Sequence, residues 1–319
     1  MIHTRLCDVL GIAHPIVMGG MGSKTDARSV AAVSAAGGLG ILGCTWRPLD
    51  RIVEDIRAIR RLTDRPFGVN FVLHLTDPAA FKAALAEKVP VFSFFQGQPA
   101  DAIAKAHAVG AVTIHQVNTP AGADEAVAAG ADILVAQGRE AGGHMGPQPL
   151  WTLLPQVLDR TGGRPVLAAG GLVDGRDLAA ALSFGAAGVL MGTRFLAATE
   201  SPISPAYQRA ILASGAGDTV ASGIWDLLRD EVWSGVQVRA IRNEMTDRWV
   251  GHEDELRASI ETVRKQLAAA DDQQDPRHLP LLAGEGAARI TRVLSSAEII
   301  RTVVADAEQA LARAAALIG

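Results

Sequence analysis

The stretch Arg164–Leu196, RPVLAAGGLVDGRDLAAALSFGAAGVLMGTRFL, decides the fold. It opens with a short apolar run, Pro165–Ala169, and returns to a second one, Gly188–Gly192. Between them, Gly175–Phe184 has apolar residues at three- and four-residue spacings. Short apolar runs bounded by glycine or proline predict buried strands, and the spacing between them predicts a helix. The stretch therefore predicts a strand–helix–strand unit of a parallel sheet.

The same alternation extends back to the start of the chain. Eight strands are predicted in all: Pro15–Gly19, Gly38–Gly43, Pro66–Val72, Pro90–Phe94, Ala111–His115, Asp132–Ala136, Pro165–Ala169 and Gly188–Gly192. Helical patterns separate several of them, as in Pro48–Leu62, Pro78–Glu87 and Ala121–Ala129. Eight such units are the number that closes a barrel. We therefore predict an α/β fold, a (β/α)8 TIM barrel.

A doubly wound open sheet is the alternative fold. Such a sheet normally carries its phosphate loop after the first strand. Here that position holds GGMGSK, Gly19–Lys24, which fits neither the dinucleotide-binding pattern nor the P-loop pattern. The barrel is therefore favoured.

The composition is that of a soluble globular protein. The chain has 319 residues, of which 49% are hydrophobic and 20% charged. Its net charge of -4 gives no broad positive potential that would attract nucleic acid or an anionic membrane. Its two cysteines, Cys7 and Cys44, indicate neither a disulfide framework nor a zinc site. The first residues lack a leader pattern, and no run reaches the roughly 18 apolar residues of a membrane span. We expect a cytoplasmic protein with no nucleic-acid or membrane partner.

The strand pattern stops after Phe195. Residues 200–280 contain amphipathic helical stretches and no convincing strand, which predicts a helical subdomain inserted after strand eight. The last segment, Ser296–Leu317, begins with a serine cap signal and keeps a helical stripe, so we expect it to pack on the barrel wall. The predicted barrel comprises residues 1–199 and 281–319.

Glycines follow the last two predicted strands. Strand seven leads into Gly170 and Gly171, and strand eight into Gly192 and Thr193. In barrels of this kind, phosphate groups commonly bind backbone N–H groups at the carboxyl ends of strands seven and eight. Each pair alone is explained as a tight turn, but two pairs at matching strand ends favour a phosphate site.

Uncharged amides lie at other strand ends. Asn70 interrupts the apolar third strand, and Gln116 and Gln137 follow the fifth and sixth. Each can donate to or accept from a ring system, or simply bind backbone. Together they are expected to line one mouth of the barrel.

One histidine stands out from the eight in the chain. His144 lies between glycines in QGREAGGHMG, Gln137–Gly146, directly after predicted strand six. An imidazole titrates near neutral pH, as a general base must. We predict that His144 is catalytic, whereas His115 is expected to point into packing.

These motifs resemble the FMN-dependent (β/α)8 proteins of the nitronate monooxygenase type, formerly grouped as 2-nitropropane dioxygenases. The resemblance rests on HPIVMGGMG, FGVNFV, QGREAGGHMG and the long stretch from Arg164 to Ser201, and continues weakly through VRAIRNEM and LLAGEGAARI. It covers most of the chain and is more specific for the family than for the reaction. Enoyl-thioester reductases and NAD(P)H:quinone reductases that use flavin are similar in the same stretches.

The resemblance implies an oxidoreductase that converts alkyl nitronates and O2 into a carbonyl compound and nitrite, with His144 deprotonating a neutral nitroalkane or binding the nitronate. It implies FMN as cofactor in the barrel. Together with the strand-end reasoning, the predicted cofactor-binding residues are Gly20, Met21, Asn70, Gln116, Gln137, Gly138, Gly170, Gly171, Gly192 and Thr193. No metal ligand is predicted.

Two positions depart from the family pattern. Several relatives carry lysine where Gln116 aligns, and the tail pair is Gly284–Glu285 where relatives have glycine and glutamine. If the charge at these positions tunes the flavin or binds an anionic substrate, the substrate differs from that of those relatives. Otherwise the two differences have no effect.

Two other functions stay open. One is an NAD(P)H-dependent flavin reductase acting on a quinone or an enoyl thioester. The other is a barrel that binds a phosphorylated ligand without redox chemistry. The nitronate monooxygenase and the flavin reductase would each act on a small-molecule substrate. NAD(P)H stays open as a partner, and so does assembly of the chain as a homodimer.

Overall fold

The computed structural model describes residues 2–317 and contains a closed barrel of eight parallel strands. The barrel strands, in order, are β1 (Ile16–Met18), β2 (Leu39–Gly43), β3 (Phe67–Val72), β4 (Val91–Phe95), β5 (Val112–Val117), β6 (Ile133–Gln137), β8 (Val166–Ala169) and β9 (Gly188–Met191). The ring closes where Val17 of β1 pairs with Leu190 of β9. All eight predicted strands are present, and the prediction of a (β/α)8 barrel is confirmed.

Helices follow or connect the strands. They are α1 (Arg5–Leu10), α2 (Ala27–Ala35), α3 (Leu49–Leu62), α4 (Pro78–Ala86), α5 (Pro99–Ala108), α6 (Pro120–Ala128), α7 (Leu150–Leu158), α8 (Gly175–Ser183), α9 (Thr193–Leu196), α10 (Pro205–Ala213), α11 (Ile224–Arg229), α12 (Glu244–Trp249), α13 (Glu253–Ala258), α14 (Ile260–Gln273) and α15 (Ser296–Ala315). Short 3₁₀ turns occupy Gly22–Lys24, Leu73–Leu75 and Glu285–Arg289. Among the described residues, no helix combines the length and apolarity that crossing a bilayer requires.

Two apolar layers stabilise the barrel. Its interior is filled by side chains such as Ile41, Ile114, Val135 and Leu167, and Leu6 of α1 joins them from the N-terminal end. The outer strand faces pack against the helices in a larger buried cluster. Alternate residues of a strand point to opposite faces, so a strand buried on both sides is apolar throughout. This explains why the strands are continuous apolar runs in the sequence.

The last helix packs against the barrel wall, as expected. Helix α15 contacts α8 and α2, and its cap is Ser295, one residue before the expected start, in a capping box with Glu298. Gly175 at the start of α8 allows the close approach, because a Cβ there would lie 2.4 Å from the backbone nitrogen of Ala307.

The segment 200–280 is not purely helical, and in this respect the prediction was wrong. It contains β10 (Thr219–Ser222) and β11 (Gln237–Ile241), which form an antiparallel sheet with a further strand, β7 (Gly143–Met145), in the order β10-β11-β7. These strands are only three to five residues long. They lack the continuous apolar run that marked the barrel strands, because β10 is half-buried and β11 contains the buried Arg239. The boundaries at 199/200 and 280/281 stay a prediction.

Phe92 tests the packing of the outer layer. It is fully buried on β4 and packs against Phe71 and Phe94. We expect Phe92→Ala to lower the free energy of unfolding by about 3–5 kcal/mol, measured by chemical denaturation, because the change removes buried area and leaves a cavity. The matched control is Phe184→Ala at the end of α8, where the ring is 47% exposed and the loss should be below about 1 kcal/mol. Equal losses in the two variants would contradict this packing.

Candidate active site

The strand register brings the three predicted amides to the same end of the barrel interior. Gln116 and Gln137 lie two residues beyond the interior residues Ile114 and Val135, and therefore share their inward face. Asn70 pairs with Gly43, two residues beyond the interior residue Ile41. Asn70 and Gln116 are half-buried, so their polar ends are reachable from the mouth.

A neighbouring amide fixes the orientation of Gln137. The side-chain Nδ2 of Asn118 donates to Oε1 of Gln137 at 2.8 Å and to its backbone oxygen at 3.3 Å. Both side chains are buried. Because the Gln137 oxygen is already engaged, its side-chain N–H groups are the ones left to meet a ligand.

The glycine loops after β8 and β9 converge beside the tail segment. Gly170 and Gly171 have φ values of +116° and +70°, in the region that favours glycine. Thr193 Oγ1 accepts from the backbone N–H of Gly284 at 3.0 Å. Its hydroxyl hydrogen is therefore free to donate to an anion. Bare backbone and a hydroxyl donor at one place have the chemistry of a phosphate site.

The loops after β1 and β6 approach the same region. A Cβ at Gly20 would lie 2.4 Å from Cβ of Asn70, and a Cβ at Gly192 would lie 3.3 Å from Sδ of Met21. Gly138 donates to the backbone oxygen of Ala169 at 2.9 Å. The predicted cofactor residues thus surround the carboxyl ends of the strands, and their roles toward a cofactor stay a prediction.

His144 lies on β7 rather than on a free loop. Its backbone pairs with Val238 of β11. Its Nε2 lies 2.9 Å from Oδ1 of Asp226, and the two side chains are 9% and 12% exposed. A carboxylate only accepts, so Nε2 carries the hydrogen and Nδ1 holds the lone pair of the neutral ring.

An aromatic cluster connects His144 to the barrel mouth. The indole of Trp233 stacks on the imidazole, with ring centroids 3.4 Å apart and planes tilted by 15°. It also contacts His74 after β3, Phe95 at the end of β4 and Trp46 after β2. We call these five residues the mouth cluster. Because three of its members follow or end barrel strands, the histidine faces the end of the barrel where the amides and glycines lie.

Glu231 ties the mouth cluster together. Its Oε1 accepts from the indole N–H of Trp46 at 2.9 Å, and its Oε2 from that of Trp233 at 3.0 Å. One ligand atom each from Glu231, His144 and Asp226 lie within 4.8 Å of one another, as a metal would require. These carboxylates are already hydrogen-bonded, so the cluster is satisfied without a cation.

The charge of Glu285 is paired. Oε1 of Glu285 lies 3.0 Å from Nη2 of Arg239, whose guanidinium is 6% exposed and also donates to the backbone oxygen of Arg139. Burial lowers the pKa of Arg239, and Glu285 opposes that shift. The departure from the family pattern at this position therefore does not leave an isolated negative charge at the site.

Sequence reasoning missed Asp226, Glu231 and Trp46. Asp226 is 82 residues from His144 and meets it only because β7 pairs with β11. The segment 200–280 contains three tryptophans, of which only Trp233 lies in the mouth cluster. Trp225 and Trp249 are buried in the core of the added segment. Asp226 directly follows Trp225 in the sequence, and an acidic residue beside a tryptophan is not a recognisable motif.

The chain is similar to known proteins in sequence and in structure. The family model described as nitronate monooxygenase matches residues 3–87 and 78–306. A probable nitronate monooxygenase of Staphylococcus saprophyticus is 31% identical, over 98% of this chain and 99% of its own. The chain is also similar to a solved structure, FabK from Thermotoga maritima, with 33% identity, a TM-score of 0.89 and coverage of 99% and 100%.

A further relative is more similar in sequence over a shorter length. It is the (3aS,4S,5R,7aS)-5-hydroxy-7a-methyl-1-oxo-octahydro-1H-indene-4-carboxyl-CoA dehydrogenase of Mycobacterium tuberculosis, 40% identical over 250 residues. The alignment covers 77% of this chain and 68% of that protein. The aligned part thus spans about two thirds of the relative.

His115 makes a pH-dependent prediction. It is 6% exposed on β5, its Nδ1 has no partner among residues 2–317, and burial lowers its pKa to about 4. The folded protein therefore binds fewer protons than the unfolded chain between pH 6.5 and 4, so stability falls as the pH drops through this range. Between pH 7 and 4.5, wild type should lose about 2–3 kcal/mol more free energy of unfolding than His115→Gln. Parallel curves for the two proteins would contradict the assignment.

Proposed function

The chain belongs to the nitronate monooxygenase family, and we propose that it is an FMN-dependent oxidoreductase that oxidises alkyl nitronates with O2 to a carbonyl compound and nitrite. An oxidoreductase of this family acts on a small molecule and is a flavoprotein. The specific reaction and the choice of FMN are our proposal. The observation that carries it is the convergence of His144, three strand-end amides and two glycine loops at one mouth of the barrel.

The residues present fit FMN. The backbone of Gly170, Gly171 and Gly192 and the Thr193 hydroxyl would hold the phosphate, because they offer donors without side-chain bulk. Asn70, Gln116 and Gln137 would meet the polar edge of the ring, and Gly20, Met21 and Gly138 would approach its surface. When bound, the flavin accepts electrons from the substrate and passes them to O2.

His144 acts on the substrate proton in this proposal. With Nε2–H donated to Asp226, Nδ1 is the ring nitrogen available to take a proton from the carbon of a neutral nitroalkane. The protonated ring would then bind the anionic nitronate oxygens. Asp226 is a positioning residue, since it touches the imidazole and fixes its tautomer.

The mouth cluster limits access of water. Trp233 covers one face of the imidazole, and Glu231 holds its indole in position. A site with less water strengthens the electrostatic contact between His144 and an anionic substrate. The substrate must therefore enter beside Trp233 or displace it.

A second function is favoured by one specific observation. The 40% identity to a carboxyl-CoA dehydrogenase supports an oxidoreductase that acts on a CoA thioester. In this second proposal, either the thioester or NAD(P)H would reduce the flavin. Either reaction would use the same flavin at the same barrel end. The two functions differ in which compound reduces the flavin.

Absorbance spectra of the purified protein distinguish the two functions. We expect a yellow protein whose flavin band bleaches when a nitronate is added without oxygen, and recovers with release of nitrite when O2 is admitted. NADH and NADPH should bleach it slowly or not at all. Rapid bleaching by NAD(P)H, with none by the nitronate, would favour the reductase. A colourless protein that does not take up FMN would contradict the cofactor.

A double-mutant cycle tests the His144–Asp226 pair. We expect His144→Ala to retain flavin and to lower turnover of a neutral nitroalkane about 10²- to 10⁴-fold, the usual contribution of a general acid or base. Asp226→Asn should lower it less, and the double variant should match His144→Ala, because Asp226 acts through the imidazole. The control is His252→Ala, an exposed histidine before α13, which should turn over like wild type. An additive loss in the double variant would remove Asp226 from this role.

A further inference from the structure

A cavity of about 490 Å³ lies beside the barrel mouth, outside the predicted cofactor residues. It is bounded by the turn after β1, by the helices α10, α11 and α14, and by the segment 276–282. Its lining includes Lys24, Tyr207, Arg229, Arg264, Asp271 and Leu281. A cavity of this size is in the range of small-molecule and cofactor sites.

Three cations face the cavity, against one carboxylate, that of Asp271. Arg264 is partly engaged, since it donates to the backbone oxygens of Leu227 and Leu228 and to Glu261. The side chains of Lys24 and Arg229 form no hydrogen bond or ion pair with any residue in the described range 2–317. In a chain whose net charge is -4, such a local excess of positive charge marks a site for an anion.

Lys24 is the informative cation, because its half-buried ammonium group has no hydrogen bond and no carboxylate at ion-pair distance within the described range. Burial lowers its pKa, the charge of Asp271 opposes that shift, and Arg229 adds to it. A cation desolvated beside a second cation costs free energy that a bound anion would offset. The arrangement is therefore more favourable with an anionic ligand than without one.

The rest of the lining is apolar. Tyr207 is buried and lines the cavity. Its hydroxyl donates to the backbone oxygen of Leu282 at 2.7 Å, so the ring is the part of the side chain that contributes to the cavity wall. Ile203, Leu228 and Leu281 extend this wall. An apolar wall with cations at its edge suits a ligand that combines a flat ring with phosphate groups.

The cavity adjoins the candidate active site. Lys24 ends the 3₁₀ turn that follows Met21, and Met21 packs in the same apolar cluster as Tyr207 and Leu281. A ligand whose phosphates lie at Lys24 can therefore extend toward the mouth, where Met21 and Gly192 meet. A free inorganic anion would leave the apolar wall unused.

We propose that this cavity binds the phosphate-bearing adenosine end of a nucleotide co-substrate, and that Lys24 and Arg229 bind its phosphates. The inference rests on the second proposed function, the oxidoreductase acting on a thioester, because that function requires a substrate or reductant that carries adenosine phosphates. The CoA part of an acyl thioester and NADPH both contain an adenosine that carries phosphate groups. Binding to the two is measured separately.

Calorimetric titration of the flavin-loaded protein with CoA and with NADPH tests the proposal. We expect at least one of them to bind, and binding to weaken as NaCl is raised, because ion contacts are screened. Lys24→Gln/Arg229→Gln should weaken binding about tenfold or more, since charge-assisted hydrogen bonds are lost. Tighter binding of CoA would identify a thioester substrate, and tighter binding of NADPH a reductant.

Lys265→Gln is the matched control. Lys265 lies on the same helix as Arg264, is exposed, and does not line the cavity. The Lys265→Gln variant removes one positive charge from α14 and should bind CoA and NADPH like wild type. Ala268→Trp, which fills the cavity without changing charge, should weaken binding as the double variant does.

Two results would overturn the proposal: no binding of either compound to wild type, or equal binding by wild type and the double variant. Nitronate turnover by wild type is measured in a separate assay and needs no nucleotide. A protein that oxidises nitronates but binds neither nucleotide would refute this inference alone. A protein that binds them at the cavity but leaves nitronates unchanged would refute the proposed reaction alone.

Discussion

Closure of the barrel between β1 and β9 is the constraint on which the site depends. Parallel strands that form a ring must end on one side, and each strand contributes its next inward residue to that side. The backbone pairing of Val17 with Leu190 completes the ring. As a result, residues as far apart as Gly20, Asn70, Gln137 and Gly192 meet without any side chain being required to bring them together.

Much of the architecture was predictable because its signals are local. A strand buried on both faces is an uninterrupted apolar run, and a loop with φ in the left-handed region is glycine, as at Gly170 and Gly171. Amides at strand ends stood out because they interrupt such runs. The short strands β10 and β11 carry no such signal, because β10 is only half-buried and the apolar run of β11 is interrupted by Arg239.

The surroundings of His144 were not predictable for a different reason. Each of its contacts joins residues far apart in the chain, and Asp226 and Trp233 come from a segment that looks helical when taken alone. Pairing of β7 with β11 creates these contacts, and no residue in either strand specifies its partner. The charge of Glu285 likewise acquires its meaning only from Arg239, 46 positions earlier in the chain.

The imidazole is carried by the three-stranded sheet and not by the barrel. The proposed proton-transfer group and the proposed flavin cradle thus rest on two separate sheets, which Trp233 connects through its contacts with His144, His74 and Phe95. Substitutions in β11 or α11 can shift or retune the histidine while the cradle keeps its shape. In this arrangement, the proposed proton transfer and the proposed cofactor recognition can change independently, because they belong to different sheets.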